Sequence, residues 1–297
     1  MEKYMEAIAA PGFSTSNVQQ DCYTNLGIMY QRTESSDKLA EQALRKALEI
    51  NPKHVVALGH LVELMIWTGN QDEADHLVAQ GISSNIWEHP KQFPQKYIPG
   101  VKAVPWPDIS QYTNVLAVVE HLEESCSQIL EEMRPLLSQT GLDSLNFGVM
   151  DHLSPADGKP HGGWHSSTIN CEKARERTPN TCAVLDKVRS SMAGDLFTAQ
   201  FLRLQPGAII RPHCGTGNHR WVVHLGLDIP DKVFITVADE TRKWVQGKCI
   251  VFDDSFVHSV KHEGDRDRII LAVQIPSPEF ERATRSKPEE AHARTDL

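Results

Sequence analysis

A change of hydrophobic period along the chain predicts an α+β fold, with an N-terminal helical repeat followed by an antiparallel β-sandwich or jelly roll. Up to about residue 84, apolar side chains recur at three- and four-residue spacing, the mark of amphipathic helices. From Phe197 onward they alternate every second residue in short segments rich in Val, Ile and Phe, separated by PG, GTGN, IPD, QG and EGD. That is the turn-punctuated pattern of a many-stranded β domain. With 297 residues, 40% of them hydrophobic, the chain can bury a full core.

The first helices are repetitive. LAEQALRKALEINP places Leu39, Ala43, Ala47 and Ile50 on one stripe, and Pro52 stops the helix. Ala40, Ala43, Leu44 and Ala47 recur 34 positions later as Ala74, Leu77, Val78 and Gly81, which is the tetratricopeptide period. Two degenerate repeats bury too little alone, so residues 1–84 are expected to dock on the C-terminal β domain, as a structural cap or a peptide-binding module. Residues 85–110 hold five prolines and two tryptophans and read as an extended connector over the domain surface.

NVLAVVEHLEESCSQILEEMRPLL restores helical spacing through Leu116, Val119, Leu122, Cys126, Ile129, Leu130 and Met133, giving a helix with one face on the β domain. The segment from Ser138 to Pro179 reads as loop, with Gly158, Gly162 and Gly163 around His161, Trp164 and His165; such loops carry either substrate contacts or plain surface. CAVLDKVRSSM is a short amphipathic helix. FTAQFLRL, AIIRPH, RWVVHLGLDI, VFITVADE, KCIVFDDS and DRIILAVQI are the strands. After Pro276 the sequence turns charged and reads as a frayed tail, so the expected division is 1–84, 85–280 and 281–297.

Composition narrows the partners. A formal net charge of −9 disfavours nucleic-acid and anionic-membrane surfaces. The N-terminal residues show no sustained apolar core behind a basic start, and no later run approaches the roughly 20 apolar residues of a membrane span. A cytoplasmic chain is therefore expected, with the endoplasmic reticulum open only to a longer isoform carrying an anchor. The six cysteines include no C-x-x-C, so free thiols are the default reading, Cys171 and Cys182 being the one pair suggestive of a disulfide.

Alternation sorts the strand residues by face. Trp221, Val223, Leu225 and Leu227 share one side of their strand, and Arg220, Val222 and His224 the other. In the last strand Ile269, Leu271, Val273 and Ile275 separate from Arg268, Ile270 and Ala272. An arginine inside a barrel needs an anion, which for Arg268 means an internal Asp or Glu or a bound carboxylate. His213 ends one strand beside a Gly-rich turn, and His258 begins another after FDDSF. Singly, each histidine reads as structural. Two neutral imidazoles converging in a pocket can bind Zn, Cu, Fe or Ni, and with Arg268 nearby the set favours a metal site with a carboxylate cosubstrate.

The stretch PHCGTGNHRWVVHLGLDIP, with VADETRKWVQGKCIVFDDSFVHSV and RIILAVQI after it, resembles the aspartyl/asparaginyl β-hydroxylase family of iron and 2-oxoglutarate-dependent oxygenases. The resemblance extends back through TCAVLDKV to PGVKAVPW and covers roughly residues 85–280; animal members also place tetratricopeptide helices before the oxygenase domain. It implies a double-stranded β-helix with Fe(II) held by His213 and His258. Related oxygenases complete a facial triad with H-x-D, but Gly215 stands at that position here, as is normal in this family, where a water occupies the vacant site. The resemblance further implies that Arg268 anchors the distal carboxylate of 2-oxoglutarate, that His224 adds a hydrogen bond to it, and that Arg220 faces the substrate. Asp254 has two readings, a partner orienting a metal ligand or a turn former. Two positions depart from the family: a cosubstrate-binding serine aligns with Leu202, and a second substrate arginine with Val222.

The implied activity is hydroxylation, at the β-carbon, of an Asp or Asn residue in a peptide or protein, or of a related small molecule, with O2 consumed and succinate and CO2 released. The tetratricopeptide-like helices suggest a protein partner. Two other readings stand beside this one: a non-catalytic scaffold with a degenerate barrel, and a Zn- or Mn-dependent isomerase, which would need three or more protein ligands.

Overall fold

The computed structural model describes residues 16–32, 36–138, 148–149, 163–192 and 197–285. Its helical segment runs α1 (Ser16–Gln31), α2 (Asp37–Ile50), α3 (Val55–Trp67) and α4 (Gln71–Ser83), consecutive helices packing as antiparallel neighbours. The buried stripe of α2 is Ala40, Ala43, Leu44 and Ala47. Leu39, expected on that stripe, is exposed: it lies one helical step of about 100° from Ala40, on the far side of the face that α1 and α3 cover.

The connector is not a surface strap. Trp87 and Phe93 sit in the helical core beside Leu58, Leu61 and Val78, and the Trp87 indole donates to the Pro94 carbonyl at 3.2 Å. Beyond it, one predicted helix is two, α5 (Thr113–Glu124) and α6 (Cys126–Ser138), because Ser125 turns its hydroxyl back onto the His121 carbonyl and ends the first. The loop-rich stretch after α6 contains β1 (Gly148–Val149), β2 (Trp164–Thr168) and α7 (Cys171–Ala174); His161 lies outside the described residues. Next comes α8 (Pro179–Ser191), with proline in its first turn. A disulfide joins Cys171 to Cys182, while Cys22, Cys126, Cys214 and Cys249 are free thiols. No described helix is long and apolar enough to cross a membrane.

The strands are β3 (Thr198–Leu204), β4 (Ile209–His213), β5 (Arg220–Asp228), β6 (Val233–Val237), β7 (Glu240–Lys243), β8 (Cys249–Phe252), β9 (His258–His262) and β10 (Arg268–Pro276). Among the described residues they form two antiparallel sheets, β1-β2-β3-β10-β5-β8 and β4-β9-β6-β7. From β3 onward the chain winds between them: β3, β5, β8 and β10 lie in the larger sheet, β4, β6, β7 and β9 in the smaller. This is the double-stranded β-helix. The sequence after Pro276 also departs from expectation, since Pro278–Arg285 forms a helix, α9, held by the Tyr112 hydroxyl on Glu279 at 2.5 Å.

The two faces of the larger sheet have different tasks. Trp221, Val223, Leu225 and Leu227 of β5, with Ile269, Leu271, Val273 and Ile275 of β10, pack on α5, α6 and α8. The opposite residues, Val222, Ile270, Ala272, Leu202 and Leu204, face Ile235, Val260 and Phe252 in the space between the sheets. Gly226 lets β5 pass under the β7–β8 turn, where a Cβ would stand 2.6 Å from the Val245 carbonyl oxygen. We expect Gly226→Ala to cost about 1–3 kcal/mol, the usual range for overpacking; a urea midpoint equal to wild type would show that the turn moves aside.

Candidate functional site

The site begins at a break in a strand. β4 is an edge strand, and its pairing with β9 shifts register between Ile210 and His213. Pro212 lies in that interval and has no N–H to give the ladder, which confines it to such an edge. The irregularity re-aims the chain so that His213 pairs directly with His258 at the start of β9. The two imidazoles lie with centroids 4.2 Å apart, inclined at 50°.

Each ring is set by a carbonyl two residues earlier. His213 Nδ1 lies 2.8 Å from the Arg211 oxygen and His258 Nδ1 2.9 Å from the Phe256 oxygen. A carbonyl only accepts, so the proton sits on Nδ1 and the lone pair on Nε2. Burial pushes the His258 imidazole down to about 4, with the Arg220 charge adding to the effect against the Phe256 hydrogen bond. It is neutral at neutral pH, as a metal ligand must be. Among the described residues no group of three or more His, Cys, Asp and Glu could hold a metal ion; the cavity presents two imidazoles side by side.

Gly215 is short of space as well as of a carboxylate. A Cβ built on it would overlap the carboxylate of Asp254, and the Gly215 amide donates to the Asp254 carbonyl at 2.6 Å. The place where an H-x-D aspartate would begin is thus filled from the other histidine-bearing loop. Asp254 Oδ2 accepts from Arg220 Nη2 at 2.9 Å, while its Oδ1 is buried without a partner. Asp254 therefore does not orient either histidine by direct contact: backbone carbonyls do that.

These groups line a cavity of about 250 Å³ between the sheets, just below the roughly 300–1,000 Å³ of sites for drug-sized ligands and suited to a small acid. The inward residues of β10 run Arg268, Ile270, Ala272, Gln274. Arg268 is 1% exposed, and its Nε and Nη2 have no hydrogen-bond partner. The expected internal carboxylate is absent among the described residues: neighbouring Asp267 faces the other way and is bound by Arg203 at 2.5 Å. Arg268 lies instead over the Trp244 ring, 4.9 Å from its centroid. Burial lowers it to about 9, so it remains a cation at neutral pH. His224 stacks near the same indole at 6.1 Å and 17°; its Nδ1 is buried without a partner, and burial, then Arg268 and His258, hold it well below the usual histidine range and hence neutral.

At the mouth the charges are balanced. Besides holding Asp254, Arg220 donates from Nη1 to Gln274 Oε1 at 3.0 Å, which also receives the Thr198 hydroxyl at 2.8 Å. Leu202 and Val222, where the resemblance placed a serine and an arginine, are apolar wall. Sequence reading thus located His213, His258, His224, Arg220, Arg268 and Asp254, all of which line one cavity. It missed Gln274, which the two-residue alternation from Arg268 signals, and Trp244, which nothing local distinguishes. A larger groove of about 480 Å³ between α4 and the smaller sheet is lined mainly by apolar side chains such as Val78 and Phe93.

The family model described as aspartyl/asparaginyl beta-hydroxylase matches residues 123–278. The mouse protein named aspartyl/asparaginyl beta-hydroxylase is 30% identical over 234 residues, which are 74% of this chain and 29% of the mouse protein. Aspartate beta-hydroxylase domain-containing protein 2 of Xenopus tropicalis is 31% identical over 180 residues, 56% of this chain and 46% of that protein. The chain spans less than half the length of either relative. The crystal structure of a Pseudomonas putida prolyl-4-hydroxylase covers 54% of this chain and 97% of its own, at 18% identity and a TM-score of 0.38; the fold assignment rests on the strand winding and not on that likeness.

The crowding at Gly215 yields a test. Gly215→Ala should displace the Asp254 carboxylate and cost about 1–3 kcal/mol of stability, the usual range for overpacking, and Gly215→Asp should cost no less. Metal binding tighter than wild type in Gly215→Asp, measured by anaerobic titration, would show that a third ligand fits.

Proposed function

The chain belongs to the aspartyl/asparaginyl β-hydroxylase family, and on that premise we propose that it is an Fe(II)- and 2-oxoglutarate-dependent oxygenase that hydroxylates a carbon of an Asp- or Asn-like substrate. The observation that carries this reading is Arg268. A guanidinium buried without a counter-ion costs stability, and a chain retains it when a bound anion completes it. In a cavity whose wall also holds the imidazoles of His213 and His258, that anion is a dicarboxylate. A degenerate scaffold has no use for such a group.

In this reading His213 and His258 hold Fe(II) through Nε2. The chemistry that Fe(II) supplies when bound is activation of O2, with 2-oxoglutarate oxidatively decarboxylated to succinate and CO2 and one oxygen atom passed to the substrate carbon. The chain's own part is binding and exclusion. Arg268 offers a planar fork that matches a carboxylate bidentately, and the Trp244 ring packs 4.9 Å from it. His224 adds a neutral imidazole beside it. With Leu202 in place of a hydroxyl, the grip on the cosubstrate rests on these two residues. Phe252, Ile235 and Val260 keep the space between cosubstrate and substrate dry, which strengthens each polar contact there.

At the mouth, Arg220 presents a cation to the substrate while Asp254 and Gln274 hold it in one orientation. Asp254 Oδ1, buried and unpaired, is an acceptor for a donor at the metal. Val222 removes a second cation from the substrate's side, so recognition of a carboxylate there depends on Arg220 alone. The substrate class is a peptide, protein or small amino-acid-like molecule. The β-carbon is the expected position.

Anaerobic addition of Fe(II) and 2-oxoglutarate should produce the weak visible charge-transfer band of a 2-oxo acid chelating ferrous iron, and His213→Ala and His258→Ala should each abolish it together with iron-dependent succinate formation. Metal bound without the band in wild type would sink the cosubstrate assignment. Arg268→Met separates binding from folding. It should weaken 2-oxoglutarate by two orders of magnitude or so, a buried charge contact being worth about 2–5 kcal/mol, while leaving the ligand-free protein as stable as wild type or more so. A large loss of stability in this variant would mean that Arg268 has an internal partner after all.

A further inference from the structure

Helix α3 of the helical segment meets β4 of the β domain beside His213. Trp67, the last residue of α3, donates its indole N–H to the Pro212 carbonyl at 2.6 Å. Glu63, one turn earlier on the same helix face, accepts the Cys214 amide on Oε1 at 3.0 Å. Arg211 lies over the Trp67 ring at 5.4 Å. The contacts fall on residues 211, 212 and 214, and so bracket His213 on both sides.

The strand needs these contacts because of its own irregularity. β4 shifts register against β9 between Ile210 and His213, and around that shift the Pro212 carbonyl and the Cys214 amide take side-chain partners; an unpaired backbone group in a partly buried position costs free energy. Helix α3 supplies both partners. The consequence reaches the imidazole, since the His213 ring is oriented through the Arg211 carbonyl, and that carbonyl moves with the same stretch of backbone. Glu63 itself is 7% exposed, an expensive place for a carboxylate unless a hydrogen bond needs it.

The other histidine is braced separately, by the connector. Lys91 accepts the Val257 amide at 2.8 Å and Pro105 the Asp253 amide at 3.1 Å, while the Gln92 side chain donates to Ser255 at 2.8 Å. Nothing in that set passes through Glu63 or Trp67.

We infer that Glu63 and Trp67 are positioning residues for His213, so that the helical segment forms part of the candidate metal centre. This rests on His213 being a metal ligand, and the test tells the two apart. The 297-residue wild type, Glu63→Ala, Glu63→Gln, Trp67→Phe and His213→Ala are titrated with Co(II), read by its visible d–d absorption, and the metal-free proteins are compared by thermal unfolding. Glu63→Ala and Trp67→Phe should each weaken Co(II) about tenfold and shift its absorption envelope. Glu63→Gln, whose amide oxygen still accepts the Cys214 hydrogen bond, should stay near wild type.

Wild-type affinity in both Glu63→Ala and Trp67→Phe overturns the inference. So does a Glu63→Gln protein as weak as Glu63→Ala, which would assign the effect to the carboxylate's charge. If Glu63→Ala does not fold, Trp67→Phe decides, because it keeps the aromatic packing and removes only the donor. A wild type that binds no Co(II), or a His213→Ala protein that binds it as tightly as wild type, overturns instead the metal-ligand reading beneath.

Discussion

The cross-strand pairing of His213 with His258 is the constraint on which the rest of this architecture depends. Side chains alternate along strands, so a slip of one residue in β4 or β9 would send one imidazole out of the cavity. Because the pairing joins the end of one strand to the start of another, both rings sit at the rim of the smaller sheet and face the larger one. Arg220 and His224 of β5 and Arg268 and Gln274 of β10 project from one face of those strands into the same cavity, where Phe252 and Trp164 pack near the imidazoles. The opposite face of those strands is sealed by α5, α6 and α8, which makes the wall rigid.

Charge is distributed along that wall with a clear polarity. The mouth holds a cation and an anion in contact, Arg220 with Asp254. Deeper in, Arg268 has no carboxylate partner among the described residues and is faced by an indole and by an imidazole whose burial keeps it neutral. A paired group at the rim loses little to solvent and orients what arrives. An unpaired one in the interior is a stored cost that a fitting anion releases, and release of that cost favours binding of the anion over water. The cavity's walls between the two ends are apolar, which keeps the contrast sharp.

Three cores support this site, and they are not independent. The helical core includes Trp87 and Phe93 of the connector and has Cys214 and Val257 packed against it, residues that neighbour the two histidines. The connector itself bonds both loops: the Lys96 amide to the Thr216 carbonyl at 2.7 Å, and the Ile98 backbone to the Asn218 side chain in both directions, each at 2.9 Å. A division of the chain at residue 84 describes its sequence periods well. Its hydrogen bonds cross that boundary repeatedly.

Much of the fold was legible because period alone decides it. The two-residue alternation separated the residues of β5 and β10 that pack on the helices from Arg220, Val222, His224, Arg268, Ile270 and Ala272 on the other face, and the turn signals separated strands that the structure winds between two sheets. The errors were local and have local causes. Leu39 differs from its buried neighbour by one helical step, Ser125 ends a helix whose apolar stripe continues across the break, and Trp164–Thr168 pairs with β3 without an alternating pattern strong enough to announce a strand.

For the site, the residue types that can do the chemistry were determined by the sequence itself: two histidines at strand ends, an inward arginine, and a glycine where related oxygenases carry an aspartate. What only the tertiary structure decided is which partners those groups lack or borrow. Whether Arg268 had a counter-ion, whether Gly215 left room for a side chain, and which helix bonds the backbone on either side of His213 all depend on residues distant in sequence, Glu63 and Cys214 being 151 positions apart. Local pattern carries no information about such contacts, because they are fixed by how the two sheets and the helical segment close on one another.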